Sequence, residues 1–292
     1  MNRVKIELME RKGGRYFLLG REFSGVGFEI GLDKRVHAIE LVNGIEAGGY
    51  HPFCASPGDQ LDQVDLTGML SDYEVPLYQG HSFSGIGYEF DDGVCTREVF
   101  MRNGIMYSEA RWTGAGQMVY FDVPNDEFGE VYEWYSSGEL RGVDVTTNSE
   151  FHGGMRFSED GELVILSACN GFLEAVPRIA RKARFFPISD IHDIERLKIS
   201  SGLTLFGGDI EGEFFRYLTD SGVLKKIDVL KLINVGVNFL NLIDLPNLRE
   251  LYVDGVELRG IKCGSGECLD VESFAKQRRL SIKVFVEGRE VM

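Results

Sequence analysis

The sequence predicts a mainly β protein: an N-terminal antiparallel β-meander of repeated strand-and-turn units, then a small α/β domain with leucine-rich periodicity. Three observations predict it. The stretch Phe23-Ser24-Gly25-Val26-Gly27-Phe28-Glu29-Ile30 returns as Phe83-Ser84-Gly85-Ile86-Gly87-Tyr88-Glu89-Phe90, an offset of 60. Gly93, Gly116, Gly138 and Gly161 lie 23, 22 and 23 residues apart, each preceded by an aromatic residue: Phe90, Trp112, Trp134 and Phe157. Finally, Ile227-x-x-Leu230-x-Leu232 recurs as Leu248-x-x-Leu251-x-Val253, displaced by 21 at all three positions.

The duplication keeps its offset in the flanks, where Gly20 answers to Gly80 and Asn43-Gly44-Ile45 to Asn103-Gly104-Ile105. From Arg15 onward, short apolar, aromatic-rich runs alternate with Gly, Asn-Gly or Asp-Gly turns, which is a hairpin signature. One strand plus its turn takes about eleven residues, so every second strand presents an equivalent aromatic, and a meander should stack those rings into a ladder. The paired glycines should let a ring lie over bare backbone of a neighbouring strand, so valine at Gly85 or Gly87 is expected to destabilise this part.

Composition changes near Cys169. Residues 173–184 contain Arg178, Arg181, Lys182 and Arg184, are punctuated by Pro177 and Pro187, and read as a connector or a short helix. Ile194-x-x-Leu197-x-Ile199 fits the leucine template 33 residues before its first copy. Residues 210–218 and 271–279 read as helical, and 281–286 as a closing strand. The expected division is a β-repeat domain over 1–170, a linker over 171–187 and a leucine-rich domain over 188–292.

The net charge of -15 is segregated. Residues 36–170 hold 23 acids against 5 bases, whereas residues 171–292 hold 18 of each. Such a surface repels nucleic acid and anionic membranes and draws a basic protein partner into fast encounter. No apolar run is long enough to span a bilayer, and residues 1–10 carry charges where a signal peptide needs an apolar stretch, so the expected location is cytoplasmic. The five scattered cysteines do not form a secreted disulfide framework and are expected as reduced thiols.

Chemical motifs give no enzyme. Gly25-x-Gly27 and Gly85-x-Gly87 fail the dinucleotide fingerprint, because the third glycine would fall at Ile30 or Phe90 and no helix pattern follows. His51 with Cys54, and Cys263 with Cys268, lack the second close pair that a structural zinc site needs. There is no Gly-x-Ser-x-Gly or His-Glu-x-x-His, and no two carboxylates stand out as an acid/base pair. No catalytic residue, cofactor or metal is expected.

The units Tyr78-Gln79-Gly80 with Gly85-x-Gly87-Tyr88, and Tyr132-Glu133-Trp134-Tyr135-x-x-Gly138-Glu139-Leu140, resemble MORN repeats. Their wording looks most like the MORN-like repeats of bacterial antitoxin and immunity proteins, over residues 15–165. Leu245-Pro246-Asn247-Leu248-Arg249-Glu250-Leu251-Tyr252-Val253 is similar to a leucine-rich repeat, with Val235 and Val256 where that family usually has Asn or Cys. Taken with the charge, the resemblance implies an immunity protein or antitoxin that neutralises a cognate, basic bacterial toxin by occluding its active site. A MORN scaffold or adaptor protein is the second reading, and an enzyme on a β scaffold the third.

The acidic residues Asp122, Asp126, Glu127 and Glu130 fall on the insert from Gln117 to Glu130 that interrupts the repeat rhythm, and Glu133 follows just beyond it. Insertions in repeat arrays map to loops on the binding face, so these residues are the expected partner contacts, with Trp112 and Trp134 as aromatic anchors.

Overall fold

The computed structural model describes residues 1–55, 61–69, 77–123, 129–147, 150–168, 176–177, 179–181, 185–207, 213–235, 237, 239–256, 258–262, 268–276 and 282–290. The chain is mainly β and divides into two compact units, one ending at Glu139 and the other beginning at Leu140. That division falls well ahead of the composition change near residue 170, because the strands just after Leu140 pair onward with those beyond it.

The first unit holds β1 (Asn2–Lys5), β2 (Glu10–Lys12), β3 (Arg15–Leu18), β4 (Arg21–Glu22), β5 (Gly25–Ile30), β6 (Val36–Val42), β7 (Ile45–Gly49), β8 (Gln63–Asp65), β9 (Leu77–Tyr78) and β10 (His81–Ser82). It continues with β11 (Gly85–Asp91), β12 (Val94–Arg102), β13 (Ile105–Trp112), β14 (Met118–Val123) and β15 (Gly129–Trp134). β5, β6 and β7 form one antiparallel run, and β11 through β15 another.

The duplication proves wider than the Gly-x-Gly stretch. β1 lies parallel to β5 with Val4 opposite Gly27, and β8 lies parallel to β11 with Val64 opposite Gly87, again an offset of 60. The lead strand comes so close that a Cβ on Gly25 would run into the carbonyl oxygen of Asn2, and one on Gly85 into that of Asp62. Only glycine admits this approach. The copies share their polar ties: the Asn43 and Asn103 amides donate to Ser24 Oγ (2.8 Å) and Ser84 Oγ (2.7 Å), and those of Gly44 and Gly104 to the carbonyls of Phe23 and Phe83. Each lead strand also reaches the other copy's hairpin, Val4 opposite Val94 and Val64 opposite Arg35. The copies therefore interlock about an approximate two-fold, with Phe28 packed on Tyr88 at 5.1 Å and Lys5 facing Asp65 at 3.8 Å.

The glycine rhythm marks the turns as its spacing predicts: Gly93, Gly116, Gly138 and Gly161 all have positive φ, between 72° and 96°. Phe90, Trp112, Trp134 and Phe157 stand at or next to the ends of alternate strands, and a bulge precedes Phe90, Trp112 and Phe157. In the first unit the rings do not form one unbroken ladder. Others fill the intervals, giving the row Phe90, Phe28, Arg3, Trp112, Phe53, Phe121, Tyr132, Trp134, each within 6.3 Å of the next.

The second unit opens with antiparallel β16 (Leu140–Thr147), β17 (Glu150–Phe157) and β18 (Leu163–Ala168). It turns parallel at β19 (Ile199–Phe206) and β20 (Val229–Ile233), then adds β21 (Phe239–Asn241), β22 (Glu250–Asp254), β23 (Gly260–Lys262), β24 (Cys268–Leu269), β25 (Lys283–Val286) and β26 (Arg289–Glu290). Helices α1 (Glu213–Asp220) and α2 (Val271–Lys276) fall in two of the connections. The 21-residue displacement is the register itself, with Leu230 opposite Leu251 and Leu232 opposite Val253, and all four are buried. The strand aligned before them carries Leu203 and Leu205, with Leu203 opposite Leu230, so Ile194-x-x-Leu197-x-Ile199 is not the equivalent unit. Ile194 sits instead in a 3-10 turn over Ile191–Arg196, fixed by a capping box between Asp190 and Asp193.

Candidate functional site

The strongest polar constellation forms around Arg3, which β1 carries between β5 and the end of β12. Its side chain is 3% exposed, and the Glu98 carboxylate it meets is fully buried. Arg3 Nη2 donates to Glu98 Oε2 (2.7 Å) and Nη1 to the Tyr50 hydroxyl (2.8 Å), which in turn donates to Glu98 Oε2 (3.1 Å). The Cys54 amide occupies Glu98 Oε1 at 2.7 Å, so both carboxylate oxygens are engaged. The guanidinium carbon lies over Trp112, 3.9 Å from a ring centroid, with the Tyr50 and Phe28 rings at 5.0 and 5.4 Å. A buried charge paired, hydrogen-bonded and stacked in this way is held in one orientation.

The electrostatics follow from burial. Burial works against the Arg3 charge, but the groups at Cys95, Glu98 and Tyr50 outweigh it and raise the pKa above the ordinary arginine value. Burial first, then the Glu98 charge, lifts the Tyr50 phenol. The Cys95 thiol is pushed up to about 11, chiefly by burial, so it stays protonated at neutral pH and offers no nucleophile.

Beside Arg3 opens a cleft of about 370 Å³ lined by Met1, Arg3, Glu40, Tyr50, His51, Phe53, Trp112, Gly116, Gln117 and Met118. Its wall is fixed by the hairpin turn after β13, where the Met1 nitrogen donates to the Gly116 carbonyl at 3.0 Å. Among the described residues no group of three or more His, Cys, Asp or Glu side chains is placed to hold a metal, and no helix is long and apolar enough to cross a membrane.

The residues expected to contact a partner are distributed differently. Most of the insert from Gln117 to Glu130 is not a loop, because Met118–Val123 and Gly129–Trp134 are paired strands of the sheet. Trp112 is 8% exposed, with Arg3 over its ring and an edge on the cleft. Glu130 is 6% exposed and accepts from the Tyr132 hydroxyl at 2.7 Å, which places it inside the unit rather than on its surface. Trp134 is half-buried and stacks on Tyr132 at 5.8 Å. Asp122 and Glu133 are half-buried on the face opposite Phe121 and Tyr132. Burial raises the Asp122 pKa above its usual value, and the Tyr120 hydroxyl that donates to it at 3.2 Å offsets only part of that. Asp122 lies opposite Glu109, which is clamped by Arg97 and Arg111. Asp126 and Glu127 lie outside the described residues.

Arg3, Tyr50 and Glu98 were missed by sequence reasoning. A signal existed: at the offset of 60, Arg3-Val4-Lys5-Ile6 answers to Gln63-Val64-Asp65-Leu66, whose alternating apolar positions mark a lead strand in each copy.

No family model matches the chain, and no curated protein does. Among solved structures, a chain of the glycosylation-associated protein (Gap123) complex from Streptococcus agalactiae aligns at 11% identity over 75% of this chain, with a TM-score of 0.20. This chain spans 42% of that one's length, and a likeness at that score carries no argument about fold or function.

Proposed function

We propose that the protein is an immunity protein or antitoxin that binds a cognate bacterial toxin and occludes its active site. One observation carries the reading: residues 36–170 hold 23 acids against 5 bases, a segregated negative field suited to a basic protein surface. The resemblance of the repeat units to MORN-like immunity proteins, and of residues 245–253 to a leucine-rich repeat, supports a scaffold that works by binding. The half-buried carboxylate of Asp122 adds a local reason, since a cation from a partner relieves a charge that burial disfavours. Among the described acids of the expected contact set, Asp122 and Glu133 are half-buried rather than buried.

Co-expression with the product of the gene immediately upstream tests the proposal. Growth of cells making that product should be rescued, and Asp122→Lys with Glu133→Lys should slow complex formation by about tenfold at low salt, with the difference shrinking at high salt. If that product is not toxic, or if it stays toxic in the presence of this protein, the reading fails.

A further inference from the structure

We propose that the outer edge of β7 (Ile45–Gly49) is a docking site for an extended, basic segment of a partner protein, which adds to the sheet as one more strand. The edge is open. All five residues of β7 are exposed, and among the described residues the strand pairs with β6 alone. β8, the next strand along the chain, pairs instead with β11 and meets Arg35 ahead of β6. The Tyr50 amide donates inward to the Ala38 carbonyl at 2.9 Å, so by the alternation of an antiparallel ladder the Gly49 amide and carbonyl face outward. A Cβ on Gly48 or Gly49 would meet nothing within 4 Å, so no neighbouring group fences this end of the edge.

The second copy of the module shows what such an edge accepts. At the offset of 60, Gly48 and Gly49 answer to Ser108 and Glu109 on β13, which are 3% and 1% exposed. There β14 runs antiparallel along β13, from Asp122 opposite Glu109 to Met118 opposite Trp112. The bulge opposite Glu40 and Leu41 recurs opposite Phe100 and Met101, where it does not keep β14 from pairing. A row of unpaired main-chain N–H and C=O groups is matched by another extended main chain, which fixes the class of occupant.

Side chains then select its charge. Glu40 stands opposite Gly48 and shares a face with the opposed pair Val42 and Ile45, while Glu46 projects from the other face, and all four side chains are exposed. Neither β6 nor β7 carries a lysine or arginine, the residues that most often guard a strand edge against pairing. An added strand with lysine or arginine beside Glu40 and Glu46, and an aliphatic residue beside Val42 and Ile45, meets complementary groups on both faces. A second copy of the chain, with its net charge of -15, is repelled from the same edge.

The end-blocked hexapeptide Lys-Val-Lys-Val-Lys-Val, titrated into the full chain and followed by nuclear magnetic resonance shifts and amide hydrogen exchange, tests the proposal. It should bind saturably, with shifts centred on residues 45–49 and slowed exchange at the Gly49 amide. The acidic twin Glu-Val-Glu-Val-Glu-Val, and a basic copy N-methylated at its two central residues so that neither of its edges can pair, should each bind about tenfold more weakly or worse. Glu40→Lys with Glu46→Lys, at two exposed positions, should weaken the basic peptide by a similar factor and favour the acidic one. Equal binding of the N-methylated copy, shifts centred away from β7, indifference to the double charge reversal, or no saturable binding would overturn the site. No result here depends on a toxin, and toxin neutralisation is read separately by growth rescue.

Discussion

The two copies of the duplicated module use one backbone for different interiors. Both have a lead strand against a Gly-x-Gly strand, the same serine-to-amide tie and the same Asn-Gly turn. Yet the first copy buries a charged arginine against a glutamate 95 residues away, and the second ties a half-buried, neutral glutamine to a tyrosine 25 residues away. The shared features are those that the chain path demands. The differences fall where side chains meet in the middle, so a special environment arose without a new fold.

Substitutions can break the shared part first. Gly25→Ala and Gly85→Ala should each cost about 4 kcal/mol or more in denaturant unfolding, because the new Cβ meets a lead-strand carbonyl that cannot retreat without losing its pairing. Gly27→Ala and Gly87→Ala should be milder, about 1–3 kcal/mol, since their Cβ meets the flexible side chains of Ile6 and Leu66. The approach is tighter at Leu66, so Gly87 should be the less tolerant of the two.

The differing part comes next. Glu98→Ala strands the buried Arg3 charge and should cost about 3–5 kcal/mol. Gln63→Ala removes only a neutral acceptor from Tyr88 and should cost about 1–2 kcal/mol. Thermal unfolding of the two variants side by side separates them. Arg3→Gln combined with Glu98→Gln should be less damaging than Glu98→Ala, because a buried pair replaced as a pair leaves no orphan charge. The smallest effect should be the most symmetric: Ser24→Ala loses the bond from the Asn43 amide, and Ser84→Ala the equivalent bond and a long 3.5 Å one to Asn103 Oδ1, so both should cost about 1 kcal/mol and agree closely. A large gap between those two would show that the copies are not equivalent even in their shared ties.

Much of this fold was written locally and could be read. The turns at Gly93, Gly116, Gly138 and Gly161, and the 21-residue register of Leu230 with Leu251, are set by residues near one another in sequence. What stayed hidden depends on distant partners. Asn2-Arg3-Val4-Lys5 looks like a charged surface segment, and nothing near it announces that Glu98 and Tyr50 neutralise and hydrogen-bond the arginine. The run Met118-Val119-Tyr120-Phe121-Asp122-Val123 is strand-forming by composition, but it breaks the glycine rhythm and so reads as a loop. Its acid, Asp122, consequently lies on a strand, where pairing decides how far it reaches solvent. Ile194-x-x-Leu197-x-Ile199 matched the leucine spacing, but the capping box at Asp190 and Asp193 outweighs that pattern locally.

The contact between Lys5 and Asp65 joins the same position of the two copies across their approximate two-fold. In a self-paired dimer of the first module that position would set lysine against lysine, and in one of the second, aspartate against aspartate. Only the mixed pairing is attractive. Severed into separate chains, the halves should therefore favour each other over their own kind. The interlock is thus heterotypic by its own charges, which leaves one half free to keep an arginine that the other has dispensed with.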